Sequence, residues 1–317
     1  MEKRRLGKSD LMIAPMMFGG NVLGWTAPEK MAFEILDAFL GAGFNAIDTA
    51  DAYSAWIPGH KGGESETVLG NWFASRKNRD KVILATKVGM LPLGGKPSLT
   101  KTRIAEAVEA SLKRLQTDYI DVYFAHRDDT ETPLEETLEA FAALIKAGKV
   151  RTIGASNYSA ARLSEALTIA KKMSLPRYEV LQPLYNLCER EAFEGDLETV
   201  CEDNTIGVVP YFALASGFLS GKYRSEADVE KSPRGATVAQ KYLNPKGLRI
   251  LAALDLVAAR LSATPAQVAI AWLIAKPSVT APIASATSLG QLKDLTAAAR
   301  LNLDHDAMTE LDAASAS

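Results

Sequence analysis

The chain predicts an α/β fold: a (β/α)8 barrel with an N-terminal β-hairpin and extra C-terminal helices. Three observations carry this. Eight short apolar, β-rich runs recur along the sequence, helical patterns lie between most of them, and a polar or titratable residue follows nearly every run. Strand-helix alternation implies parallel strands. Polar residues at the end of nearly every strand, rather than at one switch point, favour a closed barrel over a doubly wound open sheet. No Gly-x-Gly-x-x-Gly fingerprint follows the first run.

In chain order, Gly7-Lys8-Ser9-Asp10 is a turn between two short β-like pieces, suited to a hairpin under the barrel. The strand runs are 15–20, 44–47, 82–86, 119–125, 150–155, 180–182, 206–211 and 279–284. Ile104, Val108, Leu112 and Leu115 keep helical spacing, as do Leu134, Leu138, Phe141 and Leu144. Gly41 and Gly43 before the second run and Gly148 before the fifth suit helix C-caps, and Pro133 suits a first helical turn. Residues 214–243 form a long insertion rich in Gly, Ser and charge, expected to be a lid or binding loop. A last helical pattern, about 304–314, follows the eighth unit. The whole chain, 1–317, is expected to be one barrel domain.

Composition narrows the function. A net charge of −2 with interspersed charges provides no basic stretch for nucleic acid. The two cysteines, Cys188 and Cys201, have no metal-ligand spacing and suggest no disulfide framework. No apolar run is long enough to span a bilayer, and the start lacks a signal-peptide core, so a reducing, cytoplasmic location is expected.

The most informative residues are Asp48 after the second run, Tyr53 five residues on, Lys87 after the third run and His126 after the fourth. Strand ends of one barrel face one mouth, and buried charges there need partners. Taken singly, Asp48 suits a helix N-cap, Tyr53 packing, Lys87 a surface or Schiff-base lysine, and His126 a structural histidine. Together, Asp48-Thr49-Ala50-Asp51-Ala52-Tyr53, Ala85-Thr86-Lys87 and Phe124-Ala125-His126 resemble the aldo-keto reductase family, over about residues 4–300. The resemblance implies carbonyl reduction by a nicotinamide, or the reverse oxidation of an alcohol. Tyr53 is then the proton donor, Lys87 lowers its pKa, Asp48 pairs with the lysine, and His126 donates to the substrate oxygen.

The same resemblance assigns a cofactor row. Ser156, Asn157 and Gln182 hold the nicotinamide carboxamide, whose acceptor and two donors match such side chains. Tyr211 stacks on its ring, and Gly19, Gly20 and Asn21 touch the ribose. Phe212, Ala213, Leu214, Ala215, Gly217 and Lys222 form the pyrophosphate loop, with Arg234 over the cofactor. Ile283, Ala284, Ser285, Thr287 and Gln291 form the adenosine-phosphate segment, at a helix start. NADP(H) is the expected cofactor and NAD(H) a possible substitute, because Thr287 stands where many relatives have Arg or Lys and Leu295 where they often have Asn. Trp25, Trp56 and Arg127 are candidate substrate-pocket residues, and 55–64 is expected to be a mobile, substrate-facing insert. No metal is expected, and the partner is a small aldehyde, ketone or alcohol. Two other readings stand beside this one: a nucleotide-binding regulatory subunit of an ion channel, and a Schiff-base lyase using Lys87, which has no use for the cofactor row.

Overall fold

The computed structural model describes residues 1–91, 98–231 and 234–316. An antiparallel hairpin, β1 (Arg4–Arg5) and β2 (Met12–Ile13), comes first. Eight parallel strands follow: β3 (Met17–Gly19), β4 (Ala46–Asp48), β5 (Ile83–Val88), β6 (Ile120–Ala125), β7 (Val150–Ser156), β8 (Val180–Gln182), β9 (Gly207–Val208) and β10 (Ile283–Ala284). They form one sheet in the order β10-β3-β4-β5-β6-β7-β8-β9. At its two ends, backbone bonds from Thr280 to the Val208 carbonyl at 2.8 Å and from Ile283 to the Pro210 carbonyl at 2.8 Å join the β9 region to the β10 region.

Helices surround the sheet: α1 (Glu29–Gly41), α2 (Glu64–Arg76), α3 (Lys101–Leu115), α4 (Leu134–Lys146), α5 (Ala160–Met173), α6 (Asp196–Asn204), α7 (Gly235–Tyr242), α8 (Pro245–Leu261), α9 (Pro265–Ala275), α10 (Leu289–Ala298) and α11 (His305–Ser315). Their ends follow local chemistry. Thr100 and Ser159 accept the Arg103 and Arg162 amides at the starts of α3 and α5, and Thr264 and Gln267 make a reciprocal capping box on α9. Gly43 and Gly148 end their helices with φ of 94° and 73°, where a side chain is strained. No single helix among the described residues is long and apolar enough to cross a membrane.

Side-chain alternation along the strands creates two cores. Met17, Ala46, Ala85, Val122, Phe124, Val180, Val209 and Ile283 point to one side and pack with Leu6, Leu11 and Ile13 of the hairpin region. Phe18, Ile47, Leu84, Tyr123 and Leu181 point the other way, into the helix layer. Period two then dictates the site. Two residues beyond Ala46 is Asp48, beyond Ala85 Lys87, beyond Phe124 His126, beyond Val180 Gln182 and beyond Val209 Tyr211. Each shares the inner face of its strand.

The hairpin lies at the opposite end. The Lys8 amide donates to Glu179, just before β8, and the Ala14 amide to Asn45, just before β4. The 214–243 insertion, expected to be a lid or binding loop, carries secondary structure of its own, although 232–233 lie outside the described residues. It contains 3-10 turns at Ala215–Ser220 and Glu226–Lys231 as well as α7. Phe218 and Tyr242 stack at 5.6 Å and are buried, so an apolar anchor folds it down despite its polar composition.

Candidate active site

Asp48, Tyr53 and Lys87 meet beyond the C-terminal ends of β4 and β5. The Lys87 Nζ donates to Asp48 Oδ2 at 2.7 Å, to the Thr49 carbonyl at 2.8 Å and to the Tyr53 hydroxyl at 2.9 Å. Three acceptors take three N–H groups, which only the ammonium carries. The lysine is fully buried, and burial outweighs the Asp48 charge and sets its pKa below the ordinary lysine value. The Thr49 carbonyl is a partner the sequence reading did not include; backbone acceptors leave no mark in residue type.

The Tyr53 hydroxyl accepts from Lys87 and lies 3.3 Å from Asp48 Oδ2, so its own hydrogen is free for Asp48 or for a substrate oxygen. Lys87 was expected to bring the phenol pKa down. Instead burial first, then the Asp48 charge, holds it well above the ordinary tyrosine value. The phenol therefore holds its proton in the resting protein, the state a donor requires.

The His126 ring lies 6.0 Å from that of Tyr53. Its backbone amide donates to the Val88 carbonyl at 2.8 Å, while its buried Nδ1 has no hydrogen-bond partner among the described residues. Burial, then Lys87 and Arg127, pull its pKa well below the ordinary histidine value, so the ring is neutral at physiological pH. Arg127 itself is exposed. Trp56 meets Tyr53 edge-on at 5.8 Å and Trp25 at 6.1 Å, which makes an aromatic wall beside the phenol. Residues 55–64 are built of successive turns, and Glu64 accepts the Lys61 and Ser54 amides. Those bonds give the insert a defined turn structure.

The predicted cofactor row adjoins this group. Gln182 Nε2 donates to Asp48 Oδ1 at 2.9 Å and so ties β8 to the Asp48 carboxylate. Ser156 Oγ donates to the Gln182 carbonyl at 2.8 Å, Asn157 Nδ2 to the His126 carbonyl at 2.9 Å, and the Tyr211 hydroxyl to Asn157 Oδ1 at 2.8 Å. Ser285 Oγ bonds Asn21 at 2.5 Å and joins the ends of β10 and β3. Gly20 is held to glycine by a Cβ position 2.8 Å from the Asp48 carbonyl, and a Cβ on Gly19 would lie 2.5 Å from Ser285 Oγ and displace that side chain.

Other residues stand apart. Phe212 has φ of 57° and is exposed, with its ring edge against Tyr211, while Ala213 and Ala215 are buried. Leu214 packs partly buried against the outer core, and Gly217, with φ of 95°, lies close to Lys222. The Lys222 ammonium is 5.0 Å from the Tyr223 ring. Arg234 lies 5.4 Å over the Trp25 ring, so it touches the aromatic wall. Thr287 donates its amide and hydroxyl to Gln291 Oε1 at 2.8 and 3.1 Å, and Leu295 is a packing residue of the outer core. Ile283 and Ala284 are buried in β10. No group of residues suited to a metal occurs among the described residues.

Comparison with known proteins agrees with this geometry. The model of the Aldo/keto reductase family matches residues 15–316. The chain is 34% identical to the oxidoreductase YrpG of Bacillus subtilis over 98% of its own length and 95% of the relative's. It is 32% identical to protein tas of Escherichia coli, over 99% and 97% of the two chains. A probable voltage-gated potassium channel subunit beta of Arabidopsis thaliana is 33% identical, over 93% and 90%. The buried Asp48–Tyr53–Lys87 network, with His126 beside it, matches the catalytic tetrad geometry of that family.

Proposed function

Because the chain belongs to the aldo/keto reductase family and is an oxidoreductase, we propose that it reduces the carbonyl of a small aldehyde or ketone with NADPH, or runs the reverse oxidation. The observation that carries the reading is the Lys87 ammonium held by Asp48 and bonded to the Tyr53 hydroxyl. Tyr53 gives its proton to the developing alkoxide, and Lys87 stabilises the phenolate left behind. Neutral His126 orients the carbonyl through a ring N–H. Trp25, Trp56 and Arg127 border the pocket.

Family membership implies an NADP(H)-type cofactor, and the residues present fit one. Asn157 and Gln182 offer amide donors and acceptors for a carboxamide, with Ser156 beside them, and half-buried Tyr211 offers a ring face next to the phenol. When bound, the cofactor supplies the hydride. We assign Gly19, Gly20 and Asn21 to the ribose side, residues 212–217 with Lys222 and Arg234 to the pyrophosphate side, and Ser285, Thr287 and Gln291 to the 2′-phosphate. The eight strands are read as a closed (β/α)8 barrel in a single domain, which the backbone bonds between the β9 and β10 regions support.

Similarity to a probable channel subunit favours a second reading, in which the bound nucleotide reports redox state to a partner. Steady-state turnover against a panel of aldehydes, ketones and alcohols, with NADPH and NADH, tests the first. Saturable NADPH-dependent reduction supports it, whereas tight NADPH binding without turnover of any substrate favours the second.

A further inference from the structure

A second buried ionic group lies behind the tetrad, on the helix side of β4 to β6. Glu66 of α2 is fully buried and fully bonded, taking the Thr86 hydroxyl on one oxygen and Arg114 of α3 on the other. Asp121 of β6 is also complete, taking Arg79, Arg151 and the Leu84 amide. Asp51 differs. It lies between Asp48 and Tyr53 in the chain and is 1% exposed, and its one side-chain partner among the described residues is Arg103 of α3, whose Nη2 donates to Oδ2 at 3.2 Å. The same Nη2 reaches the Leu91 carbonyl, also at 3.2 Å, while among the described residues Asp51 Oδ1 and Arg103 Nε and Nη1 have no partner.

A buried ion pair adds little stability even when complete, and an underbonded one adds less. What this pair does have is position. Through one guanidinium it ties the segment carrying Asp48 and Tyr53 to α3 and to the loop after β5, and the Asp51 amide donates to the Lys87 carbonyl at 3.3 Å. We propose that Asp51 and Arg103 are positioning residues for the proton donor, a clasp that keeps the Tyr53 hydroxyl on Lys87.

Among the described residues the charged groups facing Asp51 are Glu66 of α2, Arg103 and Arg114 of α3 and, beyond the sheet backbone, Lys87 of β5, and the Tyr123 hydroxyl of β6 is buried nearby with no partner among them. Burial first, then Glu66, push the Asp51 carboxyl up to about 7 against the two arginines. Above that pH the clasp is charge-assisted, and below it the carboxyl is neutral and the clasp slackens. Tyr53 holds its proton and His126 stays neutral on both sides of that point, so neither causes a loss of rate on the acid side.

The kinetic arm of the test rests on the reductase reading, and the exchange arm does not. With NADPH and 4-nitrobenzaldehyde at saturation, wild-type kcat should fall as pH drops through about 7. Asp51→Asn should abolish this limb and lower kcat at pH 8 about tenfold, with the NADPH dissociation constant unchanged. Arg103→Met should behave alike and Arg103→Lys should recover part of the rate. Arg79→Met, which leaves Asp121 paired with Arg151, should keep wild-type kcat. Hydrogen exchange of residues 48–55 should quicken in Asp51→Asn and Arg103→Met, and in wild type below pH 7 after correction for intrinsic rates. An acid limb that survives Asp51→Asn, or wild-type kcat in that variant, overturns the proposal. If wild type turns nothing over, the reductase reading fails, and unchanged exchange then overturns the clasp separately. Should the variants not fold, the wild-type exchange series alone decides, since protection of 48–55 that ignores pH across 7 also overturns it.

Discussion

At the residue scale, the site depends on which group holds which proton. Lys87 uses all three N–H groups, Asp48 uses both oxygens, and the Tyr53 hydroxyl has a hydrogen to give. Tyr53→Phe keeps the ring packed against Trp56 and removes only that hydrogen. Its kcat should fall by about 10² to 10⁴, the usual scale of general-acid catalysis, while fluorescence titration gives an unchanged NADPH affinity. Retention of most of the turnover would remove Tyr53 from the role of donor. Asp48, Lys87 and His126 were legible because titratable side chains at strand ends stand out against apolar runs, and Tyr53 because the segment Asp48-Thr49-Ala50-Asp51-Ala52-Tyr53 resembles the family's. The direction of the Tyr53 pKa was not, because it depends on burial, which residue type does not encode. Asp51 stands in the same segment as Asp48 and Tyr53, but its partner Arg103 lies 52 positions away, and nothing local links the two.

At the scale of elements, two helices make opposing demands. Gly70 of α2 sits against α3 so closely that a Cβ would lie 2.0 Å from the Arg114 carbonyl. Alanine in a helix interior gains about 1 kcal/mol over glycine, but a backbone clash of this size outweighs it. Gly70→Ala should lose about 1 to 3 kcal/mol in urea denaturation, and a gain in midpoint would show that the helices separate freely. The other helix is α10, whose start is already satisfied, with Ser288 capping the Gln291 amide and Gln291 Oε1 taking Thr287. A 2′-phosphate there would compete with an internal acceptor and meet no arginine, so discrimination against NADH should be modest. Thr287→Arg should tighten NADPH by about 1.5 to 3 kcal/mol and leave NADH nearly unchanged. A dissociation constant for NADPH that does not move would take the phosphate away from this helix. The departure at Thr287 was visible in the sequence, whereas its engagement by Gln291 needed the helix start to be placed.

For the whole molecule, the two ends of the sheet divide labour. The hairpin packs Leu6, Leu11 and Ile13 under the inner core, while the charged network occupies the other end. Ile13→Ala should therefore cost about 2 to 5 kcal/mol of stability by the usual cavity scale, with kcat and the NADPH dissociation constant close to wild type at a temperature where the variant is folded. A stable variant with altered kcat would mean that the two ends are coupled. All eight strand runs were readable from β-rich patches, and the hairpin from its turn. The fold of 214–243 was not, since Phe218 and Tyr242 lie far apart in a segment whose composition resembles a loop.

The alternation that sets Ala46 beneath Asp48, Ala85 beneath Lys87 and Phe124 beneath His126 also makes the site intolerant of insertions and deletions within strands. Losing one residue from β5 ahead of Lys87 would turn the ammonium toward the helices and deliver Val88 to the site in its place, and gaining one would deliver Thr86. Adding residues after Gly89, beyond the strand, leaves that parity untouched. A length change that spares the site must therefore fall in a loop, where it would reshape what the pocket admits without disturbing what the four residues do.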